Sequence, residues 1–161
     1  MILLSLLLAA GQVTPVQPII KGTGLPPAVM TEEAGVMAPI EGMFAALAAR
    51  DGQALLAHVR PDGGATSVDE KADGTRSIRR TGWREFAAGL KPGPERYAER
   101  LTDPAVDIDG DIAMVWSPYV FTIDGRIAHC GTDHFDMVRE AGRWKILNIT
   151  WSKRTTGCPA Q

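Results

Sequence analysis

The chain has 161 residues, of which 45% are hydrophobic and 22% are charged, and this composition is ordinary for one globular domain. Its 17 basic and 19 acidic residues give a formal net charge of −2 at pH 7. A protein that binds nucleic acid needs a positive surface to neutralise phosphates, so this balance argues against a nucleic-acid partner.

Residues 1–11 form an apolar run that ends in small residues. The run is too short to span a bilayer but suits the core of a signal peptide, although no Lys or Arg precedes it. A retained anchor and a misassigned start codon are the alternatives. We predict a cleaved signal peptide, a periplasmic or secreted protein, and no membrane contact beyond this segment. Residues 12–33, rich in Pro and Gly, are predicted to form a linker.

The chain has two cysteines, Cys130 and Cys158. In an oxidising compartment they could form a single disulfide. The bridge requires Cα atoms within about 7 Å of each other, which spacing in the sequence does not establish. The alternative is a buried Cys130 and an unpaired Cys158 near the C-terminus, and both readings stay open.

Helices are predicted in the first half of the chain. Apolar residues recur at helical spacing from Val36 to Leu47, and Asp51 is the predicted N-cap of a shorter helix over residues 53–59. Residues 61–64, Pro-Asp-Gly-Gly, are predicted to end that helix.

A weak hairpin signal at residues 72–74 follows. Thr81 is the predicted N-cap of a third helix, which residues 91–94 end.

The second half of the chain is predicted to be an antiparallel meander. The turn signals Asp109-Gly110, Asp124-Gly125 and Ala141-Gly142 separate four segments rich in Val, Ile and aromatic residues. Long strands of this kind curl to bury one face beneath helices. We predict an α+β fold over residues 34–158, with N-terminal helices packed on a strongly curved antiparallel sheet around a central pocket, and a tail at 159–161.

A two-residue turn at Asp124-Gly125 sets a strand register in which Trp116 faces Asp133 and Val120 faces His129. On this register the concave, helix-facing side carries the predicted ligand pocket: Met114, Trp116, Val120, Phe135, Ile146, Asn148 and Thr150. A bulge near Pro118 or Gly131 would shift the register and exchange the two faces.

The opposite side of the sheet is predicted to be too apolar for contact with water alone. It carries Tyr119, Phe121, Cys130, Thr132, His134, Leu147, Ile149 and Trp151. We therefore predict a homodimer formed through this outer sheet face.

Three motifs give the chain a resemblance to a known family. They are Trp116-x-Pro118-Tyr119-x-Phe121, His129-Cys130-Gly131-x-Asp133 and Gly142-x-Trp144-Lys145-Ile146. The stretch over residues 34–158 resembles the lumazine-binding-like family of the nuclear transport factor 2-like superfamily, whose folds include those of SnoaL-like and ketosteroid isomerase-like proteins. The resemblance implies a cone of helices wrapped by a curved sheet, commonly dimeric, with a pocket in the cone. That superfamily includes isomerases, dehydratases and binding proteins without activity, so the fold does not decide the function.

Asp133 is the candidate catalytic residue with the strongest physical argument. On an apolar pocket floor, desolvation would raise its pKa and suit a general base or a proton-sharing contact with a ligand. The alternative is a carboxylate satisfied by Thr150, Asn148 or a backbone group. His129 is a second candidate, but four residues along a strand separate it from Asp133 by about 13 Å, so the two could act only across a ligand.

No cofactor or metal site is predicted. Asp107-x-Asp109-Gly110-Asp111 is similar to a calcium loop, but its glycine comes too early and Pro118 stands where the bidentate acid belongs. Three functions stay open: an exported binding protein for a small hydrophobic or aromatic molecule, an acid-base isomerase or dehydratase using Asp133, and a dimeric protein-interaction module.

Overall fold

The computed structural model describes residues 27–160 of the chain. The predicted signal peptide and most of the predicted linker lie outside these residues. Helix α1 spans Pro27–Ala49, so residues 27–33, predicted as linker, are helical. The physical reason is that proline is favoured at the first position of a helix, where its missing N–H has no partner to lose. Within residues 27–160 no helix is both long and apolar enough to cross a bilayer.

The helical region follows the predicted pattern with shorter bounds. On α1, Val36, Ile40 and Met43 are buried at helical spacing. Helix α2 spans Gly52–Leu56, and the Asp51 carboxylate caps it by accepting the backbone N–H of Ala54 at 2.9 Å. The predicted extension of this helix to residue 59 is wrong.

The Pro-Asp-Gly-Gly segment predicted to end the second helix belongs to a strand. Strand β1 spans Val59–Glu70 and pairs in parallel with the last strand of the chain, Arg143–Arg154. A Cβ atom added to Gly63 would lie 1.6 Å from the Leu147 carbonyl oxygen. Glycine is therefore needed here for close backbone approach, rather than for a turn.

The predicted hairpin at residues 72–74 joins β1 to strand β2, Arg76–Gly82. Helix α3 spans Trp83–Gly89, and its N-cap is Gly82 without a side-chain hydrogen bond. The prediction of Thr81 as the cap is wrong, because Thr81 pairs with Ala65 as part of β2.

The remaining strands are β3 Tyr97–Leu101, β4 Ala105–Asp109, β5 Ile112–Ile123, β6 Arg126–Glu140 and β7 Arg143–Arg154. They form one sheet in the order β2-β1-β7-β6-β5-β3, and β4 also pairs with β5. The three predicted turn glycines have positive φ angles of 57°, 78° and 75°. The first predicted strand is split into β3 and β4 at residues 102–104. The α+β class and the curved sheet are confirmed.

Two bulges correct the predicted register. Phe121 pairs with His129 and Thr122 pairs with Ile127, so Ala128 is an extra residue in β6. The sequence allows a bulge near Pro118 or Gly131, and the bulge at Ala128 has the same effect because it shifts the pairing by one residue. Trp116 therefore faces His134, whereas Asp133 faces Ser117.

The second bulge lies in β7, where Met137 pairs with Ile146 and Asp136 pairs with Asn148, so Leu147 is the extra residue. Together the two bulges place five predicted pocket residues on the outer face of the sheet, which corrects that prediction: Met114, Trp116, Val120, Asn148 and Thr150. Phe135 and Ile146 do face the helices, but both are fully buried in the core.

The outer face also changes in composition. Tyr119, Phe121, Ile149 and Trp151, predicted to lie there, face inward with the buried odd-numbered residues of β5. Cys130 does lie on the outer face and forms a disulfide with Cys158, with Cα atoms 5.6 Å apart. The bridge attaches the C-terminal segment to β6.

Candidate ligand-binding cavity

The concave side of the sheet and the three helices enclose a cavity of about 390 Å³. This volume lies within the range of about 300–1,000 Å³ that is typical of small-molecule sites. Much of the wall is apolar, with Met43, Leu47, Leu55, Phe86, Ile149 and Trp151 among the lining residues. Of the residues predicted as pocket or catalytic groups, His129 lines this cavity and Asp133 lies behind its wall.

One row of side chains crosses three strands of the cavity floor. Glu99 on β3 pairs with Phe121 on β5, and Phe121 pairs with His129 on β6. All three residues line the cavity. Neighbouring strands lie about 4.8 Å apart, so the Cα atoms of Glu99 and His129 are about 10 Å apart across Phe121. The row puts a carboxyl group and an imidazole on opposite sides of the same space.

The orientation of His129 is fixed from two sides. Its ring stacks on Phe121 with centroids 4.7 Å apart and an angle of 7° between the planes. Its Nδ1 lies 3.0 Å from the Tyr119 hydroxyl, which donates its proton to the Ser152 carbonyl oxygen at 3.1 Å. The hydroxyl has a single proton, so the bond to His129 requires a hydrogen on Nδ1. This network leaves Nε2 as the unprotonated acceptor.

Burial of the Tyr119 hydroxyl, together with the charges of Asp133 and Glu99, raises its pKa, so the hydroxyl keeps its proton. Burial also lowers the pKa of His129 to about 4, and the positive charge of Lys153 adds to this, whereas Asp69 opposes it. His129 is therefore a neutral imidazole at pH 7. Its Nε2 has no hydrogen-bond partner among residues 27–160 and is not one of their fully buried unpaired atoms.

The carboxyl of Asp133 is fully buried, at 0% exposure, and neither oxygen has a hydrogen-bond partner with a fixed N–H or O–H donor in the described part of the chain. The polar group beside it is the carboxyl of Glu99, which is half-buried and lines the cavity. Two carboxyl groups can hydrogen-bond to each other only when one of them carries a proton. Asp133 and Glu99 therefore form a proton-sharing pair.

Both pKa values of this pair are raised. Burial raises the pKa of Glu99 to about 7, although its hydrogen bond to Asp133 counteracts part of the effect. Burial, the charge of Glu99 and the hydrogen bond with it raise the pKa of Asp133 to about 9. At pH 6 both groups are largely protonated, and at pH 8 the pair still holds about one proton.

Asp133 has the raised pKa that the sequence argument expected, but in a different setting. Its strand neighbours are Ser117 and Trp151, instead of Trp116 and Thr150. Asn148 hydrogen-bonds to Asp136 on the outer face, so the alternative of an Asp133 satisfied by polar side chains is not what the structure has.

Glu99 is the site residue that sequence reasoning missed. A usable signal was present, because Glu99 stands between Tyr97 and Leu101 in a strand whose burial alternates with period two. A carboxylate at the inward position of such a strand indicates either a paired charge or a protonated acid.

The remaining charged groups of the cavity are paired. Lys153 lies 3.7 Å from Asp69, and Arg79 lies 3.8 Å from Glu85 with both side chains exposed at the mouth. The described residues include no group of three or more His, Cys, Asp or Glu side chains that could hold a metal ion. The cavity thus offers hydrogen-bonding groups without an unpaired charge.

Comparison with known proteins identifies the fold. No family model and no curated protein matches the chain. A protein of unknown function with a cystatin-like fold from Nostoc punctiforme PCC 73102 superimposes with a TM-score of 0.59 and 14% identity, covering 78% of this chain and 93% of that one. A nuclear transport factor 2-like protein of unknown function from Shewanella baltica OS155 superimposes with a TM-score of 0.58 and 14% identity, covering 81% of this chain and 97% of that one.

A protein from Novosphingobium aromaticivorans DSM 12444, described as a proposed scytalone dehydratase, gives a TM-score of 0.61 and 13% identity over 83% of this chain and 91% of that one. The class defined by these matches is the cystatin-like α+β cone. In particular, the chain has the nuclear transport factor 2-like fold, as the sequence resemblance implied. The matches support this superfamily fold and do not single out the lumazine-binding-like family.

Proposed function

We propose that this protein is an exported small-molecule-binding protein, which holds a partly aromatic ligand in the cone cavity and does not convert it. The observation that carries the proposal is a ligand-sized cavity whose apolar wall contains two hydrogen-bonding groups, Glu99 and His129, of which His129 is neutral at pH 7 and Glu99 is largely neutral at pH 6. Such a combination of apolar surface with a few placed polar groups is typical of ligand sites.

The pKa values of His129 and Asp133 favour binding over turnover, whereas the pKa of Glu99, about 7, would suit acid-base chemistry. A general base works best with a pKa near the operating pH, and the pKa of His129 lies well below neutrality. Asp133, the base expected from the sequence, is fully buried and does not line the cavity. Proton transfer to a ligand would have to pass through Glu99.

An acid-base isomerase or dehydratase is the second candidate. The row from Glu99 to His129 supports it, because a protonated acid and an unprotonated imidazole face one space. In that case Glu99 replaces Asp133 as the group that touches the substrate. Turnover that survives Glu99→Gln and His129→Gln would remove this candidate.

Two further parts of the proposal concern location and assembly. The Cys130–Cys158 disulfide supports an oxidising compartment, as expected for a periplasmic or secreted protein. A homodimer through the outer sheet face is supported by Ile112, Met114 and Trp116, which are 59%, 39% and 53% exposed there. An interaction module that uses this face remains the third alternative.

The test of ligand binding uses two matched glycine variants. Gly89 lines the cavity and Gly82 does not, and an added Cβ meets no atom within 4 Å at either position. Wild-type protein, Gly89→Phe and Gly82→Phe are purified from the exported fraction and examined by native mass spectrometry. We expect the wild type and Gly82→Phe to retain the same small molecule and Gly89→Phe to lose it. Equal retention by the wild type and both variants, or an empty chain in all three samples, would contradict binding in this cavity.

A further inference from the structure

The two polar groups of the cavity have opposite hydrogen-bonding roles. Below neutral pH the Glu99 carboxyl is largely protonated and can donate a hydrogen bond, and its side chain also interacts with Asp133. His129 can only accept at Nε2, because the Tyr119 hydroxyl requires the hydrogen on Nδ1. A ligand that satisfies both groups must present an acceptor to Glu99 and a donor to His129.

The spacing limits how far apart the ligand's acceptor and donor lie. The Cα atoms of Glu99 and His129 are about 10 Å apart, and their side chains converge on the concave face of the sheet. This separation is an upper range for the distance that a ligand must bridge between the two side chains, and two hydrogen bonds of about 2.9 Å each account for part of it. The acceptor and the donor therefore lie close together on the ligand, as they do in an amide or a hydroxy-carbonyl unit.

The charges of the cavity disfavour a charged ligand. Lys153 and Arg79 lie 3.7 Å and 3.8 Å from the carboxylates of Asp69 and Glu85, respectively, and these carboxylates compete with an anionic ligand for the two cations. An anionic ligand would also face Glu99, whose ionisation would repel it. A cation would be matched only by the ionised form of Glu99, so below neutral pH its binding would have to displace the Glu99 proton, which lowers the affinity.

The apolar wall is rich in aromatic side chains. Phe86 on α3 meets Trp151 on β7 edge-to-face, with centroids 6.3 Å apart and an angle of 85°. Both rings line the cavity, as does Phe121 beneath His129. Aromatic surfaces at different angles provide contact for the face and the edge of one ligand ring.

We propose that the cavity selects uncharged aromatic compounds whose hydrogen-bond acceptor and donor belong to one compact group, with the acceptor on Glu99 and the donor on His129 Nε2. An aromatic carboxamide is the simplest member of this class. The inference rests on the proposed function and adds the chemical class of ligand to it.

The test compares four probes of nearly the same shape at pH 6. Benzamide has both an acceptor and a donor, acetophenone has the acceptor alone, benzoate is an anion and benzamidine is a cation. Ligand-observed NMR titration gives the four dissociation constants. We expect benzamide to bind about fivefold more tightly than acetophenone, the equivalent of about 1 kcal/mol for one net hydrogen bond. Benzoate and benzamidine are expected to bind more weakly than either.

Variants assign the two contacts. In Tyr119→Phe the hydrogen is no longer held on Nδ1, so the advantage of benzamide over acetophenone should fall toward onefold. Tyr97→Phe is the matched control, because the Tyr97 hydroxyl makes no hydrogen bond with the described residues. Glu99→Gln retains a donor that does not ionise, so its affinity for benzamide should be the same at pH 6 and pH 8.5, whereas the wild-type affinity falls.

Two results would overturn the inference. One is binding of benzoate or benzamidine as tight as that of benzamide, and the other is no binding of any of the four probes. If the natural ligand is still retained by the wild type and lost by Gly89→Phe, the proposed function stands and only the ligand class fails. If Gly89→Phe changes neither the retention of the natural ligand nor the binding of the probes, the proposed function fails as well.

Discussion

Replacement of Asp133 by asparagine should change how the stability of the protein depends on pH. With pKa values of about 7 for Glu99 and about 9 for Asp133, the native state holds about one more proton than the unfolded state between pH 7 and pH 9. The pKa values are raised in the folded state, so their contribution to stability is present at low pH and is lost as pH rises through them. A difference of one proton gives a slope of about 1.4 kcal/mol per pH unit.

The free energy of unfolding of the wild type should therefore fall by about 3 kcal/mol from pH 7 to pH 9. In Asp133→Asn the side chain does not titrate and its amide can donate to Glu99, so the slope should be close to zero. The window excludes the titration of His129, which is neutral in both states above pH 7. Urea denaturation at pH 7, 8 and 9, with the disulfide intact, measures the effect.

The matched control is Asp107→Asn, which changes an exposed aspartate on β4. It should have the slope of the wild type. Parallel curves for the wild type and Asp133→Asn, or a wild type that gains stability from pH 7 to pH 9, would refute the proton-sharing pair.

Three other predictions concern the scaffold. Replacement of Cys158 by serine removes a disulfide between residues 28 positions apart and should lower the free energy of unfolding, measured by urea denaturation, by roughly 3–4 kcal/mol. The wild type with its disulfide reduced should be destabilised by the same amount. Gly63→Ala places a Cβ atom against the Leu147 carbonyl and should lower the free energy of unfolding, measured by urea denaturation, by at least about 2 kcal/mol. Gly82→Ala, with open space around the added Cβ, should change that free energy little. Trp116→Glu should convert a dimer to a monomer in light scattering with little effect on the monomer fold, and an unchanged mass would remove the outer face as the dimer interface.

The strand boundaries and turns were predictable because their signals are local. Asp124-Gly125 and Ala141-Gly142 adopt positive φ angles as two-residue hairpin turns, and this follows from the residue types alone. The parallel pairing of β1 with β7 was not predictable, because it joins segments more than 80 residues apart. The glycine at position 63 therefore suggested a turn, whereas its role is to let the Leu147 carbonyl approach.

The candidate site depended on register, which turn residues do not determine over a whole strand. A single extra residue at Ala128 exchanges the faces of β5, and it moves Trp116 outward and Tyr119 inward. Bulges form where long strands curl around a core, so their position depends on the packing of the whole cone. Asp133 was found despite the wrong partners because the inward residues of β6 are those that the sequence predicts, and only their partners on β5 and β7 differ.

Asp133 has a physical cost that makes a purely structural role a poor explanation for it. A fully buried acid without a fixed donor destabilises the folded state as soon as it ionises, and an apolar residue of similar size would avoid this. What the carboxyl supplies is a hydrogen bond to Glu99, which offsets part of the rise that burial causes in the pKa of Glu99. With pKa values of about 7 and about 9, Glu99 ionises before Asp133 as pH rises, so the buried carboxyl keeps its proton while Glu99 carries the charge. The two carboxyl groups therefore affect the cavity differently, and this is the reason for testing them with separate variants.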